Sequence, residues 1–139
     1  MVEVRRRLGL AVLVASAFGW TAAADAKLTF FKSPSGNIGC AIGNGSARCD
    51  VGDHTWRAPR PKNCPSISDY GQGVTVFRGP GKVVCASDSV LWDRAPVLGY
   101  GRSKTVGSIT CTSRRSGMTC RKTTTRHGFF VSMSRYRLF

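Results

Sequence analysis

Beyond Glu3 this chain of 139 residues has no glutamate, and its other acids are Asp25, Asp50, Asp53, Asp69, Asp88 and Asp93 alone. Nuclease chemistry that pairs a glutamate with a histidine therefore has nothing to work with past the first few positions. Histidine is scarce too, present only as His54 and His127. No Cys-x-x-Cys occurs, which removes the ligand rhythm of a zinc site, and no metal or other cofactor is expected. No serine stands in Gly-x-Ser-x-Gly, and no glycine-rich loop has the spacing that cradles phosphate. No stretch of a dozen residues keeps apolar side chains at helical spacing, so a helical bundle is excluded.

The N-terminus reads as an export signal. Arg5, Arg6 and Arg7 precede Leu8 to Trp20, thirteen residues without a charge. That run falls short of the ~20 residues a membrane-crossing helix needs. Small residues follow, and cleavage is expected after Ala24 or Ala26, making residues 1–26 a signal peptide and 27–139 one domain. The mature chain would keep 18 cations against five carboxylates, a formal charge of +13. All six cysteines also survive, an even number that predicts three disulfides in an oxidising, extracellular or envelope location.

One motif is written twice, Gly36-Asn37-Ile38-Gly39-Cys40 and Gly107-Ser108-Ile109-Thr110-Cys111, each followed after eight residues by a second cysteine, Cys49 or Cys120. Asn44-Gly45 is a strong two-residue hairpin signal, because both residues tolerate positive φ. With that loop, Cys40 faces Cys49 as a non-hydrogen-bonded pair, close enough for a bridge. Ile38, Cys40 and Ile42 then share a core face with Ala47, Cys49 and Val51. In the second copy Arg114 to Gly117 is expected to form a four-residue turn with Gly117 left-handed, again setting Cys111 opposite Cys120. Cys64 and Cys85 remain for each other. Each closed loop should contribute roughly 2.5–3.5 kcal/mol. That is a large share of a typical total of about 5–15 kcal/mol, so reduction should unfold the domain or nearly so.

Strand-like runs are expected at 28–32, at 74–77 with 82–86 around Gly79-Pro80-Gly81, and at 129–133 and 136–139. Residues 52–73 read as an ordered loop pinned by Cys64 and packed down by Trp56, and 88–102 as irregular, with Val90-Leu91-Trp92 a short buried segment. Turn signals about every ten residues point to an all-β fold, a small antiparallel sandwich or barrel of disulfide-stapled hairpins. The two motif copies lie 71 residues apart and a partial copy, Gly81 to Cys85, breaks the period, which argues against a solenoid. Repeated use of one good hairpin is preferred over a duplicated half-domain.

Several pieces stand in a telling order: Phe31-Lys32-Ser33-Pro34-Ser35-Gly36-Asn37-Ile38-Gly39-Cys40, Ala47-Arg48-Cys49-Asp50, Leu98-Gly99-Tyr100-Gly101, Cys111-Thr112-Ser113, Gly117-Met118-Thr119-Cys120 and His127-Gly128-Phe129-Phe130. Together they resemble a family of small secreted actinobacterial proteins of unknown function, found in some cases as the C-terminal part of lipoproteins or larger exported chains. The likeness spans residues 28–139. The family often carries Leu-Pro-Tyr-Gly where this chain has Leu98-Gly99-Tyr100-Gly101. The resemblance brings no activity and no binding residue with it.

Two groups could carry chemistry. Asp50, Asp53 and His54 cluster after a stapled strand as a metal or acid–base site would, although aspartates in such turns commonly cap backbone amides. Histidine can serve as a general base, and His127 stands near Lys122 and Arg126, so the two histidines with a cation would suit acid–base cleavage of RNA. The charge is the broader clue. No acid follows Asp93, while Arg114, Arg115, Arg121, Lys122 and Arg126 crowd one hairpin and its exit. Such a surface attracts polyanions in a salt-dependent way, acidic envelope polymers or anionic lipid surfaces ahead of nucleic acid. The expectation is a secreted or envelope-associated binding module rather than an enzyme. The alternative is a small secreted hydrolase such as a ribonuclease using His54 and His127.

Overall fold

Positive backbone φ angles mark most of the turns that divide this chain into strands. The computed structural model describes residues 18–20 and 27–139, and the expected signal peptide lies outside the described residues apart from 18–20. Ten strands follow: β1 Thr29–Lys32, β2 Ile38–Gly43, β3 Ser46–Val51, β4 Tyr70–Val76, β5 Lys82–Cys85, β6 Ser103–Val106, β7 Ile109–Arg114, β8 Gly117–Lys122, β9 Gly128–Val131 and β10 Tyr136–Leu138. They form two five-stranded antiparallel sheets, β1-β2-β3-β4-β5 and β10-β9-β8-β7-β6. Each sheet is a simple meander with two open edges, so of sandwich and barrel the fold is the sandwich. No helix occurs among the described residues.

The Asn44-Gly45 loop takes φ values of 55° and 69°, the twist that two-residue hairpins favour. It fixes the register Gly43↔Ser46 through Cys40↔Cys49, and a bridge joins that last pair across a Cα separation of 4.1 Å. Cys111 and Cys120 face each other likewise, bridged at 4.0 Å. The third bridge joins Cys64 to Cys85. Period-two alternation then buries Ile38, Ile42, Ala47 and Val51 with the sulfurs. From the other sheet Ile109, Met118, Phe129 and Val131 close over them. At the centre Cys49 Sγ touches Cys120 Sγ at 3.7 Å, bridge against bridge.

The two sheets repeat one plan. Shifting β2 and β3 by 71 residues reproduces β7 and β8 residue for residue. The next strand repeats as well: Gly73 pairs with Asp50, and Gly128 with Arg121. Both glycines lie so close to the preceding cysteine's carbonyl, of Cys49 or of Cys120, that a Cβ would collide with it. The likeness therefore extends from the hairpin to the whole meander, further than repeated use of one hairpin requires. A duplicated half-domain describes the fold better.

Other expectations need correction. β4 begins at Tyr70, within the stretch read as loop. Gly71 has φ 88° and the register shifts between Tyr70 and Val74, so the glycines mark a bulge and a close approach, not a turn. No strand was expected over 103–105, and β6 begins there, just after the stretch 88–102 read as irregular. Its side chains are almost all exposed, and it is held as an edge strand by Gly107-Ser108, with Gly107 at φ 57°. The β7–β8 loop is two residues, Arg115-Ser116, because Arg114 pairs with Gly117. Gly117 does take a positive φ, 147°, in the range that favours glycine, but it opens β8 rather than closing a four-residue turn, and a Cβ there would run into the Val131 carbonyl and the Phe130 ring. Leu91 and Trp92 are exposed, with Leu91 lying over the bare backbone of Gly39, so the Val90–Trp92 segment is not buried.

Candidate functional site

A cleft of about 630 Å³ opens at the end of the sandwich where the β7–β8 tip stands over the β1–β2 turn. The sequence builds its walls from four pieces. Ser33 to Asn37 turn the chain between β1 and β2, closed by Ser33 N donating to the Ile38 carbonyl at 2.8 Å, with Gly36 at φ 76°. Arg114, Arg115 and Ser116 come from the hairpin tip, Leu91 to Asp93 from the strap that follows β5, and Ser132 and Met133 from the end of β9.

Symmetry accounts for the opening. At the equivalent place in the other half, Lys122 Nζ reaches the carbonyls of Gly45 and Phe77 at 3.3 and 3.2 Å and closes the gap beside the Asn44-Gly45 tip. The 71-residue shift puts Val51 in the position of Lys122 and Ser116 in that of Gly45. A valine cannot span the gap, and the cleft stays open.

The strap is tied firmly. Asp50, only 1% exposed, receives Arg48 Nε and Nη2 at 2.9 Å each in a bidentate pair, and Ser89 Oγ and Val90 N at 3.0 Å. A buried carboxylate with all these donors is a structural fastener, close to the amide-capping role expected of aspartates here. Arg48 also donates to the Asp88 carboxylate and carbonyl at 2.7 Å. The hydrogen bond from Arg48, and then its charge, hold Asp88 below the usual carboxylate range. Lys32 fastens the far end: its Nζ bonds the Asp93 carbonyl, and its backbone N bonds the Pro96 carbonyl at 2.9 Å. Trp92, half exposed between these anchors, meets the Phe30 ring nearly perpendicular at 5.7 Å.

Across the cleft the Arg115 guanidinium lies 4.9 Å from the centroid of the Tyr100 ring, a cation–π contact that orders both. The Asn37 side chain clamps the Asp53 backbone, accepting from Asp53 N at 2.7 Å and donating to Asp53 O at 3.0 Å. The Asp53 carboxylate makes no hydrogen bond or ion pair among the described residues, and it lines the cleft.

The remaining expected residues lie elsewhere. His54 stacks flat on Trp56 at 3.9 Å, with Nδ1 3.0 Å from the Trp56 carbonyl; that contact requires the proton on Nδ1. Thr55 N bonds the Met133 carbonyl and Trp56 Nε1 the Ser132 carbonyl, placing His54 at the exit of β9. His127 immediately precedes the start of β9, so a four-residue strand, roughly 13 Å long, separates the two. The structure does not bring them to one substrate. Arg121, Lys122 and Arg126 stand at the far end of β8 from Arg114 and Arg115, roughly 15 Å away, with Lys122 engaged by carbonyls. The five cations make two groups, not one patch. No three histidine, cysteine or acidic side chains gather as a metal site among the described residues.

Trp92, Tyr100 and Lys32 were missed as site residues. Trp92 was read as buried from its apolar neighbours, although Asp88, Asp93, Arg94 and Pro96 around it signal a surface strap. No curated protein and no solved structure matches the chain. Residues 9–139, nearly the entire sequence, match a family of unknown function, DUF6636, and the chain belongs to that family.

Proposed function

We propose that this chain is an exported binding domain that holds acidic polymers of the cell envelope in the cleft under the β7–β8 tip. The observation that carries the reading is the pair Arg114 and Arg115 at that tip, standing over a cleft that Lys32 also lines. Arginine forks recognise carboxylate and phosphate oxygens in pairs, and the stacking of Arg115 on Tyr100 reduces the side-chain entropy lost on binding. A mature charge of +13 would speed encounter with any polyanion, while the cleft selects what stays. Three disulfides are typical of extracellular proteins, which suits an envelope ligand. The reading is favoured over a hydrolase because His54 and His127 stand at opposite ends of β9.

The test compares two charge-matched variants for retention on an immobilised acidic polysaccharide. Arg114→Ala/Arg115→Ala should lose most retention, and Arg121→Ala/Arg126→Ala should lose only the small share due to net charge. Binding by the unaltered protein should fall steeply as salt rises. Equal losses in the two variants would show that bulk charge, not the cleft, is responsible.

A further inference from the structure

We infer that the cleft takes an acidic glycan, a chain of sugar rings carrying carboxylates at intervals, in preference to a densely charged polyphosphate or an anionic lipid surface. The inference rests on the cleft reading above and names the ligand class.

Charge in the cleft is mixed. Lys32, Arg114 and Arg115 share it with Asp53 and Asp93. A polymer with an anion on every unit would press one charge against the unpaired Asp53 carboxylate. Asn37 holds the Asp53 backbone at both N and O, so the residue itself stays fixed at the cleft wall. A sparsely charged glycan meets the same surface differently. Its carboxylate pairs with an arginine fork, and hydroxyls of the neighbouring sugar donate to Asp53.

Aromatic side chains supply the second, independent argument. Trp92 is 50% exposed and Tyr100 is 41% exposed, and both line this cleft. The strap beneath Trp92 is fixed at Val90 by Asp50, at Asp93 by Lys32, and by Ala95 N bonding the Trp92 carbonyl at 3.0 Å. An indole held in place and left half bare is a preorganised apolar platform. The C–H face of a pyranose ring is flat and apolar and packs on such a platform, whereas a phosphate chain has no face to offer it.

The test uses the oxidised, processed protein and three probes: a hyaluronan octamer, whose carboxylates fall on every second sugar, an inorganic polyphosphate of matched charge, and phosphatidylglycerol vesicles. The octamer should bind most tightly and perturb tryptophan fluorescence. Trp92→Ala should weaken octamer binding about tenfold and leave polyphosphate binding unchanged, with Trp92→Phe recovering part of the loss. Asp53→Asn should strengthen polyphosphate binding. Polyphosphate or vesicles binding as tightly as the octamer, or Trp92→Ala weakening all probes alike, overturns the inference. If Arg114→Ala/Arg115→Ala leaves octamer binding intact, the cleft reading itself fails. If that pair abolishes binding and Trp92→Ala does not alter it, only the glycan assignment fails.

Discussion

Replacing Cys40 and Cys49 together by alanine asks whether the central sulfur contributes more than loop closure. The two cysteines are nine residues apart, for which loop-closure entropy gives about 2.7 kcal/mol. Cys64 and Cys85 are 21 apart, and the same relation gives about 3.4 kcal/mol. On entropy alone the Cys64–Cys85 bridge matters more. Packing reverses that order. Cys40 and Cys49 are fully buried, and Cys49 Sγ touches the second central bridge at 3.7 Å, whereas Cys85 is exposed. Removing two buried sulfurs leaves a void comparable to two lost methylenes, roughly 1–1.5 kcal/mol each. The Cys40→Ala/Cys49→Ala protein should therefore lose about 5 kcal/mol and the Cys64→Ala/Cys85→Ala protein nearer 3 kcal/mol. Equilibrium urea unfolding followed by tryptophan fluorescence measures both. A chain that fails to fold without the central bridge, yet folds without the outer one, satisfies the same ordering. Greater destabilisation by loss of Cys64–Cys85 would refute the packing argument.

Three further outcomes are expected. Gly73→Ala should destabilise by roughly 2 kcal/mol or more in urea unfolding, because its Cβ meets the Cys49 carbonyl and the Asp50 side chain; an unchanged midpoint would mean β4 can move away. The Asp88 carboxylate is held low by Arg48, so its stabilising contribution is complete above its ordinary pKa near 3.8 and is lost as pH falls through the lowered value. The Tm gap between the unaltered protein and Asp88→Asn should be small, since Asp88 is exposed, and should close on acidification; a gap that widened in acid would contradict the ion pair. Mild thiol treatment should open Cys64–Cys85 first, read by peptide mapping, because Cys85 is exposed while the other two bridges lie between the sheets. Equal release of all six thiols would count against that burial argument.

Local rules recovered the stapled hairpins because their cues are short-range. Asn44-Gly45 sets one register outright, and the alternation around Cys40 and Cys49 names the core face. Errors fell where a long-range partner decided the outcome. Gly73 looks like a turn residue until β3 is placed against it, and Gly71 until β5 pairs with β4 around a bulge, and nothing near Ser103-Lys104-Thr105 shows that β7 will hold it as an edge. The site was harder still. Arg114, Arg115 and Asp53 were legible as candidates, but their union with Lys32, Trp92 and Tyr100 needed segments from both sheets and the strap between them to converge. His54 and His127 drew attention through their chemistry alone, and that chemistry has no way of signalling that β9 would stand between them.

The β2–β3 and β7–β8 tips of the repeated meander are held differently: Lys122 donates to the Gly45 carbonyl, while among the described residues no lysine bonds a backbone carbonyl of Arg115-Ser116. Side chains at the free tip can therefore drift from one relative to the next with little penalty to the frame, much as a key's bit is recut while its bow stays the same. Ligand preference across such proteins would then change at that end first.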